Sequence, residues 1–548
     1  MDAREIFKSL TCGAKFNKKP QNEIKRKLKE EPDVKTTIST KRVKEEKQND
    51  EIDFQLLSGT QDLQSSKKKK KKQLTPEELS KIREDERISK LRKDNKISVI
   101  GNKIPAPIEH FDELCSLYSV DTKVVDNLAS CKYTVPTPIQ MQALPIMMTG
   151  RSLMACAPTG SGKTVAFLTP IIRDLKAPQK NGFRALILCP TRELAKQTYQ
   201  ECVRLTEKTG LKIHVISKVD KADETFGVKS KQMCDILIST PNRVRFLIQQ
   251  EPPALELKSI EWFVIDEADR LLEDGKDNFK EQFDDILKAC TNPSRKLALF
   301  SATYTVPIAK WAIKNLKNLI RVTIGQQNTA TDQVDQELLF VGSESGKLLA
   351  FRELIRTGLK PPVLVFVQSK DRAKQLFNEL LYDGINVEAI HADRTQQQRD
   401  NIVKGFREGK IWVLICTELM GRGIDFKGVN LVVNYDFPSS EISYIHRIGR
   451  TGRAGRRGKA VTYFTQNDTT NLRSIAHIIK KSGGNVPEFM LTLKKAKKSD
   501  KKMLAASAPR REEISTVVKP EKQDPGQFVK APAKIKKKKR KGGKKSEE

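Results

Sequence analysis

Ala157-Pro158-Thr159-Gly160-Ser161-Gly162-Lys163-Thr164 follows an apolar strand and carries the glycines, lysine and threonine of a phosphate-cradling loop. Such a loop wraps backbone N–H groups around phosphates, with Lys163 reaching the terminal phosphates and the Thr164 hydroxyl placed on Mg2+. Further along, Val264-Ile265-Asp266-Glu267-Ala268-Asp269 is a second apolar strand ending in carboxylates. There Asp266 can hold the metal, largely through water, and Glu267 can orient a water molecule. The pair reads as nucleotide hydrolysis. Ala157 stands where the generic loop has glycine, which weakens the first motif taken alone.

Outward from these motifs, short apolar runs alternate with helical patterns. Ala185 to Cys189, Ile236 to Ser239, Trp262 to Ile265 and Leu297 to Phe300 are continuous apolar stretches, as buried parallel strands are. A second series follows: Val363 to Val367, Val387 to Ile390, Trp412 to Cys416, Leu431 to Val433 and Val461 to Phe464. It contains no second phosphate loop. The expected fold is therefore α/β, two tandem parallel-sheet domains at 106–325 and 326–490. A basic, mostly disordered arm (1–105) and a lysine-rich disordered tail (491–548) flank them, and Thr75-Pro76-Glu77-Glu78 is N-terminal helix chemistry, predicting a helix from Thr75 to Lys93.

The chain has 548 residues, and its formal charge is +33. Residues 1–100 carry a net +9 and residues 491–548 a net +13, leaving +11 for everything between. Most of the excess thus lies outside the expected domains, and a polyanion is the expected partner, nucleic acid first. The runs Lys67 to Lys72 and Lys534 to Lys541 read as nonspecific RNA-binding segments that double as a nuclear or nucleolar address. Nine cysteines include no C-x-x-C pair, so neither a disulfide framework nor a zinc site is expected. Cys156, Trp262 and Trp412 read as packing residues and His391 as a structural hydrogen-bonding group. With no apolar signal core or membrane-length apolar run, a soluble intracellular protein without a membrane partner is expected.

Pro136-Thr137-Pro138-Ile139-Gln140, the loop, Pro190-Thr191-Arg192-Glu193-Leu194-Ala195, Asp266-Glu267-Ala268-Asp269, Ser301-Ala302-Thr303, Arg422-Gly423-Ile424-Asp425 and His446 to Arg453 follow one another in order. In that order and spacing the chain resembles a DEAD-box RNA helicase of superfamily two over roughly residues 108–490. The resemblance implies two RecA-like domains that close on ATP, Mg2+ and RNA. Gln140 has the amide to read adenine, and Tyr133 the face to stack on it. Arg450 and Arg453 resemble arginine fingers arriving from the second domain, and Asp425 resembles a ribose contact. Ser301 and Thr303 would hydrogen-bond Asp269, and His446 would bridge the phosphate and RNA sites. Ala157 matches the helicase form of the loop.

By the same resemblance, RNA is held through Pro190, Thr191, Arg192, Thr240, Pro241, Asn242, Arg243, Gln368, Gln396, Arg399 and Thr417, by backbone recognition with little sequence preference. Three departures stand out: Lys132 precedes the stacking aromatic, Asn242 replaces a usual glycine, and a Gly-Gly element near 215–226 is missing. Segments such as Gln396-Gln397-Gln398-Arg399-Asp400 resemble the family's Rok-type branch, which implies pre-rRNA processing for the small ribosomal subunit, nucleolar residence, and pre-ribosomal or helicase-stimulating protein partners for a monomer. The rival readings are messenger RNA remodelling, a DNA translocase of the same superfamily, and a noncatalytic RNA-binding scaffold. Asp269, where translocase groups carry histidine, argues against the second, and intact Lys163, Glu267, Arg450 and Arg453 argue against the third.

Overall fold

A computed structural model of the chain describes residues 75–216, 234–271, 279–328, 333–418, 426, 428–453, 456–506 and 509–515, all within one compact unit. The lysine runs at 67–72 and 534–541, Asp425, and most of the segment expected to carry a Gly-Gly element lie outside these residues.

Among the described residues the first element is the Pro76–Asp94 helix. Thr75 Oγ1 accepts from Glu78 N while Glu78 Oε2 accepts from Thr75 N, a reciprocal capping box that satisfies the first free N–H groups. No residue of this helix is buried, so polar contacts hold it: Arg92 donates to Gln142 Oε1 and Pro105 O, at 2.9 and 3.0 Å. Strand β1 (Ile97–Ile100) follows and pairs antiparallel with β8 (Ile320–Ile324). The first folded body therefore takes in residues that composition assigned to the arm, because the Ile97-Ser98-Val99-Ile100 stretch completes a sheet edge.

That sheet has eight strands in the order β1-β8-β2-β7-β6-β3-β5-β4. Its central members are β2 (Leu153–Cys156), β3 (Ala185–Leu188), β5 (Ile236–Ser239), β6 (Trp262–Ile265) and β7 (Lys296–Ser301), with β4 (Ile213–Val215) at the far edge. Apart from β1 all pairings are parallel, and β2, β3, β5 and β6 are buried along their whole length. Two clusters, one on each face, bury it: Phe167 with Phe300, and Phe263 with Phe283. Parallel strands covered on both faces have to be apolar throughout, which is why they read so plainly.

The second sheet is wholly parallel, ordered β11-β12-β10-β13-β14-β9. Its strands are β9 (Val334–Phe340), β10 (Val363–Val367), β11 (Val387–Ile390), β12 (Val413–Thr417), β13 (Leu431–Asn434) and β14 (Gly458–Phe464). After the Thr469–Lys481 helix the chain forms the Glu488–Thr492 and Lys498–Ala506 helices, and Ile514 is buried in the second domain's core cluster. Part of what composition read as tail is thus folded. Among the described residues no helix is long and apolar enough to cross a membrane.

Candidate functional site

β2 ends at Cys156, and the loop after it turns into the Lys163–Leu175 helix, so the first N–H groups of that helix face what the loop encloses. Glycine is required at 162: φ is +89°, and a Cβ would meet Gln140 Nε2 at 2.5 Å. The buried Lys163 ammonium donates to Ala157 O at 2.8 Å and to Pro158 O at 3.3 Å. Ser161 Oγ is buried with no hydrogen-bond partner among the described residues, the kind of atom a phosphate oxygen would satisfy. Burial pushes the Cys156 thiol up to about 12, which rules out a nucleophilic thiolate at neutral pH.

Gln140 sits under the loop. Its Oε1 accepts from Thr137 N at 2.9 Å and its Nε2 donates to Gly162 O at 3.0 Å, while Thr137 Oγ1 donates to Ser161 O. The amide expected to read adenine therefore also clamps the loop, leaving one N–H and one lone pair for a base. Tyr133 lines the cleft, and its hydroxyl donates to Glu201 Oε1 at 2.7 Å.

At the end of β6, Asp266, Glu267 and Asp269 are all buried. Glu267 has φ +51°, a left-handed conformation unusual for a glutamate, and its N–H donates to Asp266 Oδ1. Burial first, and then the adjacent Glu267, push Asp266 above the ordinary carboxylate range, with Lys163 opposing. Glu267 Oε2 is buried without a hydrogen bond among the described residues, with His446 Nδ1 3.8 Å away. This oxygen-rich set, held at the cost of unfavourable like charge, fits a hard divalent cation on Asp266 with the Thr164 hydroxyl lining the same cleft.

Asp269 points elsewhere. Its Oδ2 accepts from the Thr303 hydroxyl and lies 2.6 Å from His446 Nε2 of the second domain. An ionised carboxylate only accepts, which puts the ring proton on Nε2. Ser301 does not reach Asp269: as the last residue of β7 its hydroxyl donates to Thr303 O and accepts from Thr303 N, so it shapes the turn that aims Thr303. The expectation of two hydroxyls on that carboxylate is corrected to one. Replacing His446 by alanine is expected to leave the KM for ATP within about twofold while lowering RNA-stimulated kcat roughly tenfold, read by steady-state ATPase with and without RNA.

Both domains line one cleft of about 820 Å3, with Tyr133, Thr159, Lys163 and Asp266 on one side and Arg450 and Arg453 on the other. Arg450 Nε donates to His446 O and Arg453 Nε to Gly449 O, which aims both along the Glu441–Ile448 helix end toward the loop. Thr159 Oγ1 donates to Gly449 O at 2.8 Å across the domains, and a Cβ at 449 would meet that hydroxyl at 2.5 Å, so glycine permits the approach.

A second meeting of the domains involves residues expected to hold RNA. Thr191 caps the Arg192–Leu205 helix by accepting from Leu194 N, next to the buried Pro190, with Arg192 exposed beside it. Arg399 Nη1 and Gln396 Nε2 both reach Glu193 Oε1 at 3.2 Å, and Lys196 pairs with Asp400 at 2.6 Å. Burial, then Arg192, lowers the Arg243 guanidinium to about 10, with Arg399 adding to the effect. Three guanidiniums gathered on one surface suit a phosphate backbone. Thr240 and Pro241 start the Pro241–Ile248 helix, and Asn242 lies exposed in its first turn with no left-handed backbone, so no glycine is needed there. Thr417 ends β12, half-buried.

Gln368 is different. Its Nε2 donates to Pro509 O at 2.6 Å and its Oε1 accepts from Arg511 Nε at 2.9 Å, so the C-terminal segment holds the amide that resemblance gave to RNA. His391 is buried, and its Nδ1 has no hydrogen-bond partner among the described residues, so the structural bond expected of it is not made by that nitrogen. Glu193, Lys196, Glu201, Asp400 and Arg511 were not singled out for a role in the sequence, because only the tertiary fold brings each to its partner.

Residues 137–311 match the DEAD/DEAH box helicase family and residues 346–455 the helicase conserved C-terminal domain. The chain is 52% identical over 457 residues to DDX52 of Rattus norvegicus, described as a probable ATP-dependent RNA helicase, covering 83% of this chain and 76% of that one. It is 42% identical over 436 residues to the ATP-dependent RNA helicase ROK1 of Kluyveromyces lactis, covering 78% and 74%. Among solved structures, S. cerevisiae Dbp5 bound to RNA and ADP BeF3 aligns with a TM-score of 0.60 at 28% identity, over 73% of this chain and 99% of that one.

Proposed function

Because the chain belongs to the DEAD-box helicase family and is an RNA-stimulated ATP hydrolase, we propose that it remodels short RNA duplexes locally in precursor ribosomal RNA of the small subunit, within the nucleolus. The observation that carries the mechanism is the divided cleft: Lys163, Asp266 and Glu267 stand on one domain, and Arg450 and Arg453 on the other. In hydrolysis a water oxygen bonds to the γ-phosphorus as the bond to the bridging oxygen breaks and ADP leaves with that electron pair. Lys163 and the two arginines would offset the charge that builds on the γ-oxygens, and Glu267 would orient the water and accept its proton. Asp266 and Thr164 would hold Mg2+, which supplies charge neutralisation between the phosphates.

RNA enters through closure. The Arg192, Arg243 and Arg399 surface spans both domains, so a strand lying across it favours the closed arrangement in which His446 meets Asp269. Backbone contacts of this kind do not read sequence, so the choice of RNA is left to location and partners. The precursor-rRNA assignment rests on the resemblance of the sequence motifs to the Rok-type branch, and the basic ends of the chain suit an RNA partner. Crosslinking the full-length protein to cellular RNA with a nonhydrolysable ATP analogue, then sequencing the attached fragments, tests it. Enrichment of small-subunit precursor fragments is expected, and a broad messenger RNA profile would overturn the assignment.

A further inference from the structure

Beyond the matched helicase domains, which end at residue 455, the chain returns to the second domain and crosses its strand ends at Pro509–Ile514. We infer that this segment is a strap that positions the Glu441–Ile448 helix for hydrolysis, that Arg511 is its anchor, and that Gln368 serves the strap.

Arg511 is buried to 5% side-chain exposure and uses every face of its guanidinium. Nη1 donates to Glu344 at 2.6 Å, Nη2 to Asp468 at 2.7 Å and Nε to Gln368 at 2.9 Å. On either side of it Pro509 O accepts from Gln368, Glu512 O accepts from Arg372 Nη1, and Ile514 N donates to Gln375 Oε1. The Ile514 side chain closes the apolar cluster beneath. A chance surface contact would not bury an arginine with planar partners on three sides.

The charges around it explain why the segment is needed. Lys347, Arg372 and Arg511 face Glu344, Asp436 and Asp468 in a buried network, three cations against three anions. Burial opposes the Arg511 charge, yet the hydrogen bond to Asp468 and the nearby carboxylates hold it above the ordinary guanidinium range. Removing Arg511 leaves Asp468 without its ion-pair partner and the network one cation short, a costly arrangement away from water. With Asp468 already folded into the second domain, its buried charges balance only when Arg511 is seated among them.

The link to chemistry runs through Asp436. Its carboxylate accepts from Arg372, Lys347 and Gln368 N, and Arg511 Nε lies 3.9 Å away. Its backbone carbonyl accepts from Arg447 Nη1 at 2.8 Å. Arg447 belongs to the helix that carries His446, and Arg450 follows directly, so what fixes Asp436 fixes the height of both over the first domain.

The test uses the full chain with Arg511→Ala, Arg511→Lys and, as a control, the exposed neighbour Arg510→Ala. Expected for Arg511→Ala, well below its own melting temperature, is a roughly five- to tenfold fall in RNA-stimulated kcat. The KM for ATP should stay within about twofold, and backbone hydrogen exchange should rise across residues 441–448. Arg511→Lys should fall between, since one ammonium cannot span Glu344, Asp468 and Gln368 together. A lowered melting temperature with parental kcat and parental exchange in that helix would show a purely structural strap and overturn the inference. Should Arg511→Ala fail to fold, Gln375→Ala releases the Ile514 end without touching the buried charges. It is expected to show the same helix exchange and at least about a twofold loss of kcat, and parental values in both would also overturn the inference.

Discussion

Lys163→Ala is expected to reduce RNA-stimulated ATP hydrolysis roughly a thousandfold, on the scale seen when a preorganised charge donor is removed from developing negative charge. The lysine leads the helix that follows the phosphate loop, is buried, and is held on the loop's own carbonyls. An ammonium fixed in that way costs little to redirect toward phosphate oxygens, and alanine offers nothing in its place. ATP affinity should fall as well, because the charge acts on the bound nucleotide as well as on the transition state. A variant that hydrolyses ATP within tenfold of the parent would remove Lys163 from phosphate chemistry.

The same substitution has a pH signature. Lys163 is the charge that holds the Asp266 carboxyl down against burial and Glu267. A carboxyl whose pKa rises on folding favours the native state below its unfolded value and loses that contribution as pH climbs toward its folded value. Without Lys163 the folded value moves further up, so the deficit in melting temperature relative to the parent should widen as pH rises through neutrality. Thermal melts of the nucleotide-free proteins on either side of pH 7 read it, and a deficit independent of pH would show that Lys163 does not control Asp266.

The central strands were legible because parallel strands buried on both faces must be apolar throughout, as in Ile236-Leu237-Ile238 or Val363-Leu364-Val365. β1, β4, β8 and β9 were not, since each is half-buried or alternates: Val334-Asp335-Gln336-Glu337 has no continuous apolar run. The nucleotide loop and the carboxylate strand end were legible because their chemistry is local, each a run of a few residues that has to be contiguous. What failed to show were groups outside the motifs whose work depends on a distant partner. Glu201 under Tyr133, Lys196 against Asp400 and Arg511 in the second domain are ordinary charged residues in sequence, with partners 68, 204 and 167 positions away. Spacing cannot announce such contacts, and the lysine-rich tail composition concealed Arg511. Resemblance also misplaced Ser301, whose hydroxyl is taken by the turn it supports.

Glu267→Gln should separate binding from chemistry more sharply than Lys163→Ala. The substitution keeps shape and the hydrogen-bonding reach of one oxygen, but it removes the anion able to take a proton from water. The backbone N–H to Asp266 Oδ1 bond and the left-handed turn at 267 do not depend on the side-chain charge. Loss of a positioned base costs about 10² to 10⁴ in rate, so kcat is expected to fall roughly a thousandfold. Like-charge pressure on Asp266 falls at the same time, which should leave nucleotide and Mg2+ affinity equal to or better than the parent's. Binding energy from ATP and RNA would then accumulate in the closed arrangement, with His446 on Asp269 and Arg450 and Arg453 over the loop. The expected observation is that the glutamine variant retains a labelled RNA through a wash with ATP present, releases it without ATP, and hydrolyses almost none. If ATP fails to slow RNA release, closure is not driven from this cleft. If kcat stays near the parent's, Glu267 is not the base, and its strained backbone and unsatisfied oxygen would have to serve metal binding instead.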